Sequence, residues 1–152
     1  MKINKFWVTK HVIKFTVKGR PPRKSTKSCW SSEGEYVLKL REKALEALKK
    51  EGIDHFSGPI KLELIVFDPD ITPRKDRSDY HGDLDTLVAG VLDSLQPAPT
   101  NPDLGMDPIL KSRNDIDPAR PLIIEDDSQV VSIVAKKVKS DNVHYSVLVD
   151  SI

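Results

Sequence analysis

The sequence predicts a small α+β domain in which a sheet of about four strands carries two helices on one face. Three observations carry this reading: period-two apolar runs near both ends of the chain, two stretches of helical spacing between them, and the order strand, helix, strand, helix, strand, strand. With 152 residues, 38% hydrophobic and 31% charged, the chain suits one domain, residues 1–152, with its own core. Aromatics are only 6%, yet apolar runs recur to the last residue, which argues against wholesale disorder. No apolar stretch approaches the roughly 18 residues that span a membrane, and the opening MKINKFWVTK lacks the apolar core of a signal peptide. A cytoplasmic protein without membrane contact is therefore expected. The single cysteine, Cys29, excludes an intramolecular disulfide and a Cys-based zinc site.

Residues 11–18 alternate Ile13, Phe15 and Val17 against Val12, Lys14, Thr16 and Lys18, the period of a half-buried strand, and residues 2–9 offer a possible extra strand. Gly19-Arg20-Pro21-Pro22 ends the first strand, since two prolines cannot donate to a ladder, and residues 19–30 read as an exposed basic arm. Ser32-x-x-Glu35 has the capping-box pattern, and Val37, Leu40, Ala44, Leu45 and Leu48 follow at helical spacing before Gly52. Residues 59–67 return to strand alternation, with Ile60, Leu62, Leu64 and Val66 on one side. Residues 68–82 are polar and proline-broken, a connection that holds the basic cluster Arg74, Lys75 and Arg77.

In residues 83–95, Leu84, Leu87, Val88, Val91, Leu92 and Leu95 form one apolar side of a second helix, and Asp93 falls on the opposite, solvated side. Residues 96–121 hold six prolines and no apolar periodicity beyond Ile109-Leu110, a long insertion expected to be partly disordered. Residues 129–137 and 143–152 are β-rich runs, and Lys139-Ser140-Asp141-Asn142 between them signals a hairpin.

The net charge of +1 hides an asymmetry: residues 1–30 carry nine Lys or Arg and no acid, whereas residues 51–152 carry ten basic and nineteen acidic side chains. A basic surface attracts phosphate backbones, and clustered carboxylates repel them unless a cation intervenes. That combination suits a metal-dependent enzyme acting on nucleic acid; a lysine-rich arm that keeps an edge strand soluble explains the charge equally well. Chemistry concentrates in Asp83-Leu84-Asp85 and Glu125-Asp126-Asp127. In an extended backbone Asp83 and Asp85 project to one side, and Asp126 or Asp127 would join them at a cation, so that three or four carboxylates meet. Hard oxygen ligands favour Mg²⁺, or Mn²⁺, which activates water for phosphodiester hydrolysis. Asp at a helix start is otherwise a common N-cap, while the second acidic pair, placed before an apolar strand, does not read as a cap. His81 reads as an exposed loop histidine or as a ligand or proton carrier. Trp30 either anchors the arm to the core or stacks on a base.

At these residues the chain resembles the RusA family of Holliday junction resolvases, small homodimeric Mg²⁺-dependent endonucleases that cut four-way DNA junctions. The resemblance runs from the strand ending in Pro21-Pro22, through the polar loop and helix at residues 31–50, to Gly82-Asp83-Leu84-Asp85 and a helix ending Leu92-Asp93-Ser94-Leu95. It closes on Asp126-Asp127-Ser128-Gln129-Val130 and a final strand. The resemblance implies a RusA-like fold, a homodimer, branched DNA as partner in recombination and repair, and Asp83, Asp85 and Asp127 as metal-binding catalytic residues supported by Asp126. On the basic residues, Lys18, Arg20, Arg23, Lys24, Lys27, Arg74, Lys75 and Arg77 are expected to contact phosphates. Three positions depart from the family pattern: Ala89 stands where a lysine is expected, Thr86 replaces an Asn, and residues 96–121 replace a short turn. Lys75, Arg77, Lys111 or Arg113 would then supply the missing charge. The alternatives are a junction-binding protein without catalysis, or a nuclease for other branched or duplex DNA.

Overall fold

Strand alternation sets the sheet. In β1 (Val12–Lys18) the odd residues Ile13, Phe15 and Val17 are buried and the even ones exposed, and β2 (Ile60–Asp68) buries Ile60, Leu62, Leu64 and Val66 in the same way. The computed structural model describes residues 10–24, 28–73, 80–98, 106–112 and 119–152. The expected strand at residues 2–9, Lys27, the cluster Arg74, Lys75 and Arg77, and most of the insertion lie outside the described residues.

The element order is β1, α1 (Cys29–Ser32), α2 (Gly34–Glu51), β2, α3 (Leu84–Leu95), β3 (Val130–Lys139) and β4 (His144–Ser151), and the sheet order is β1-β4-β2-β3. Helices α2 and α3 lie on the face formed by Ile13, Phe15, Val17, Ile60, Leu62, Leu64, Val66, Tyr145, Val147 and Val149, so this is the α+β arrangement the sequence predicts. Strands β2 and β3 are parallel, with α3 as their crossover, while β4 runs antiparallel to both β1 and β2. The expected hairpin between β3 and β4 does not form. Ser140 donates its amide to the Asp68 carbonyl, carrying the chain across the end of β2, and β4 inserts between β1 and β2. The pairing follows burial: β4 has Tyr145, Ser146, Val147 and Val149 buried, as a central strand requires, whereas the lysine-bearing β3 tolerates an edge.

Two further differences concern helix starts. Ser32 does not cap the long helix; Ser28 caps α1 by accepting from the Trp30 amide, and α2 begins after Glu33. The helix does stop at Gly52, in the left-handed conformation at φ +67°. The described part of the insertion is packed, not loose: Met106 and Leu110 join Cys29, Trp30 and Val37 in a second buried cluster, and the Asp107 amide donates to the Trp30 carbonyl. Trp30 thus anchors the arm, with its indole N–H donated to the Asp93 carbonyl.

Buried Arg41, 2% exposed, closes the C-terminal end of α3. Its guanidinium donates to the carbonyls of Ser94 at 2.8 Å and of Gln96 and Arg120 at 3.4 Å, and lies over the Trp30 ring. The Ser94 and Gln96 carbonyls are ones that a helix end leaves without partners, and Arg120 belongs to the segment that follows.

Candidate functional site

The N-terminal end of α3 lies beside the C-terminal ends of β2 and β3, the end of parallel strands where loops commonly build sites. Asp83 occupies the N-cap position with extended backbone, yet its side chain makes no capping bond. It instead accepts a 2.6 Å hydrogen bond from the Tyr80 hydroxyl. Asp85 is in the first helical turn, not in an extended segment, and its carboxylate accepts the Thr86 amide at 3.0 Å while remaining exposed. Leu84 between them packs against the core as expected. The N-cap role that competes with metal binding is therefore not what Asp83 does.

The basic arm crosses the N-terminal half of α3. Gly90 permits the crossing, because a Cβ there would lie 1.9 Å from the Pro22 carbonyl oxygen. The Lys24 amide donates to the Thr86 carbonyl, and Arg23 lays its aliphatic stem over Gly82, where a Cβ would meet its Cδ at 2.7 Å. Gly82 itself has φ +128°, a second reason for glycine there. Lys137, reaching over from β3, donates to the Gly82 carbonyl at 2.7 Å and to the Tyr80 hydroxyl at 3.4 Å. One helix start thus gathers Asp83 and Asp85, the Arg23 stem over Gly82 and the Lys137 ammonium on the Gly82 carbonyl, while the charged end of Arg23 neighbours Glu33.

Other expected contacts are spent elsewhere. Arg20, its side chain 10% exposed, donates to both Glu33 oxygens at 2.6 and 2.9 Å and stacks on Tyr36, so it fastens the arm and leaves little for a phosphate. Burial pushes the Glu33 carboxyl up, but the hydrogen bonds from Arg20 and from the Arg23 amide outweigh it and hold the group below its ordinary range. Lys24 pairs with Asp93 at 3.4 Å, which shows that Asp93 faces the arm and not open solvent. Burial and the Asp93 charge push the Cys29 thiol up to about 12. Lys18 is exposed at the end of β1, on the sheet face opposite the helices.

The second acidic pair lies at the other end of α3. The Asp127 amide donates to Oε1 of Gln96, the residue after α3, and Asp127–Gln129 form a 3-10 turn leading into β3. Asp126 is a cap after all: it accepts the Ser128 amide while Gln129 returns the capping box, and hydrogen bonding from Ser128 lowers the Asp126 carboxyl. The Asp127 carboxylate is exposed and has no hydrogen-bond partner among the described residues. Twelve helical residues span about 18 Å, so Asp83 and Asp85 do not meet Asp126 and Asp127 within one chain. Among the described residues, no three His, Cys, Asp or Glu side chains are grouped to hold a metal ion.

Sequence reasoning missed Tyr80 and Lys137, and it left His81 open. His81 is not free in its loop: Nδ1 lies 2.6 Å from Oδ2 of Asp68, a carboxylate only 5% exposed at the end of β2. The alternation Ile133, Ala135, Lys137 already placed Lys137 on the helix side of β3, a signal the sequence did carry. No protein-family model matches the chain, and comparison with curated proteins finds no relative. Among the described residues no helix is long and apolar enough to cross a membrane.

Proposed function

We propose that the protein is a homodimeric, Mg²⁺-dependent, structure-selective DNA endonuclease that resolves Holliday junctions, in line with its resemblance to the RusA family. The observation that carries the reading is the Asp83 carboxylate: it stands at a helix start, released from capping, beside an exposed Asp85 and flanked by Arg23 and Lys137. Mg²⁺ is commonly held by one or two carboxylates plus substrate phosphates, so the donor set of Asp83 and Asp85 fits the ion. The ion, when bound, would activate water against a phosphodiester; Mn²⁺ would serve the same donors. Arg23, Lys24 and the rest of the arm contribute affinity for phosphates that falls with salt.

Asp127 reaches that ion only from a second chain. Assigning Asp127 to the same ion therefore calls for a two-fold dimer, which also matches a two-fold junction. Val131, Ile133 and Val134, in the strand that follows Asp127, are 59%, 46% and 55% exposed, with Ile133 and Val134 on opposite faces of a strand that has one neighbour among the described strands, the edge such a copy would cover.

The test is cleavage of a labelled mobile four-way junction with Mg²⁺, Mn²⁺ or EDTA, beside Asp85→Asn. Symmetric nicks that need metal and vanish in the variant are expected. Tight, salt-sensitive binding without nicks would replace the nuclease with a junction-binding protein.

A further inference from the structure

We propose that Lys137 is, among the described residues, the cation that meets the DNA phosphate at the Asp83–Asp85 pair; the inference rests on the nuclease reading above. Helix α3, with sequence LDTLVAGVLDSL, brings no Lys or Arg of its own, so any charge opposing the phosphate must arrive from another element. The nearby cations of the arm have carboxylate neighbours: Arg23 Nε lies 3.6 Å from Glu33, and Lys24 lies 3.4 Å from Asp93. Lys137 differs. Its ammonium is seated by the neutral Gly82 carbonyl at 2.7 Å and the Tyr80 hydroxyl at 3.4 Å, and it lies 4.7 Å from the centroid of the Tyr80 ring. Neither acceptor cancels its charge, and two acceptors leave one of the three N–H donors of an ammonium for an anion.

The seat also fixes direction. The Tyr80 hydroxyl, while accepting from Lys137, donates to Asp83 at 2.6 Å, so one phenol ties the cation to the carboxylate that holds the metal. A phosphate oxygen bound to an ion at Asp83 and Asp85 therefore arrives beside Lys137. Lys137 is on β3 and Asp83 is the N-cap residue of α3, so the strand and the helix start bring the two charges to one place, with Tyr80 and Gly82 between them.

The experiment compares wild type, Lys137→Gln, Lys137→Met and Lys137→Arg in single-turnover junction cleavage, and in junction binding in Ca²⁺ as a function of salt. The Gln variant removes the charge while keeping an N–H donor on a shorter side chain, and Lys137→Arg restores the charge, so a merely structural clamp would show no parallel between charge and rate. Loss of the charge is expected to slow cleavage about 100-fold. It should also lower the slope of log affinity against log salt by about 0.9, with Lys137→Arg keeping the slope and recovering at least about tenfold of the rate. Wild-type cleavage together with an unimpaired, wild-type-slope Lys137→Gln overturns the proposal and leaves the nuclease reading intact. If wild type binds junctions and never cleaves, the nuclease reading fails, and an unchanged salt slope then overturns the Lys137 assignment as well. Thermal melting of each variant identifies a folding failure, in which case the Lys137→Met protein supplies the same two readouts.

Discussion

Mixing two inactive variants separates a shared site from a site within one chain. Asp85 stands in the first turn of α3, and the Asp127 amide is tied to Gln96 just past its last turn, about 16 Å away along the helix. Carboxylates sharing one Mg²⁺ each approach it to about 2.1 Å, a distance no side-chain rotation supplies across that helix. Asp85→Asn and Asp127→Asn should each abolish cleavage. In a dimer of one Asp85→Asn chain with one Asp127→Asn chain, one composite site has lost both carboxylates and the other has kept both. Random exchange makes half the dimers mixed, each with one intact site of two, so an equimolar mixture should recover about a quarter of the wild-type nicking of a labelled strand. The assay is denaturing-gel quantitation of a single end-labelled junction strand after subunit exchange in mild urea. Equally dead mixtures, with exchange verified by mass-tagged subunits, would refute the shared site, because a site within one chain carries one lesion in every copy.

Three further outcomes follow from the packing. Gly90→Ala improves helix propensity but drives a Cβ to 1.9 Å from the Pro22 carbonyl oxygen; it should cost about 1–3 kcal/mol in urea unfolding, and a stabilised variant would mean that the arm does not lie on α3. Arg41→Leu strips the buried donor from the Ser94 and Gln96 carbonyls and should lower stability by about 2–3 kcal/mol, measured by the same unfolding curve. At His55, burial lowers the imidazole pKa, but hydrogen bonds to Glu125 and Asp54 outweigh it and raise the group above its ordinary value. Its stabilising contribution is then full below about pH 6.5 and is lost as pH rises through the raised folded value. NMR titration of His55 should show a midpoint above the ordinary histidine value, absent in an unfolded control, and a midpoint at or below it would remove the ion pairs from solution.

Most strands and helices were legible because their periods are local: β1, β2 and α3 follow from residues two or three to four apart. Strand order was not, because it depends on which faces are covered. The tetrapeptide Lys139-Ser140-Asp141-Asn142 has hairpin composition, yet the largely uncharged stretch 145–149 is worth more between two strands than at an edge. Arg41 was similarly hidden in plain pattern. It falls four residues after Val37 and three before Ala44, on the buried stripe of α2, where an arginine is tolerated only with partners such as the α3 carbonyls. At the site, the residue types were legible in the two acidic pairs, but their distance apart was not, and neither were Tyr80 and Lys137, whose roles arise from contacts between elements far apart in sequence.

The separation of the two acidic pairs follows from the topology and not from any detail of the loops. A crossover helix between parallel strands must run back from the end of the first strand to the start of the second, so residues before the helix and residues before the second strand stand at opposite ends. Lengthening or shortening the insertion at residues 96–121 cannot change that. Lys137 gives the same result independently: it touches Gly82 from a point ten residues beyond Asp127, most of them in extended β3 at about 3.3 Å each. A two-fold axis across α3 is the operation by which an identical copy brings the end of one helix to the start of the other. A site shared in this way would exist only in the assembled dimer, so on the proposed reading dilution to monomer should remove metal-dependent cleavage before it removes folded structure. Cleavage that survives in a demonstrably monomeric protein would leave Asp83 and Asp85 as a complete metal site and Asp127 as a surface residue.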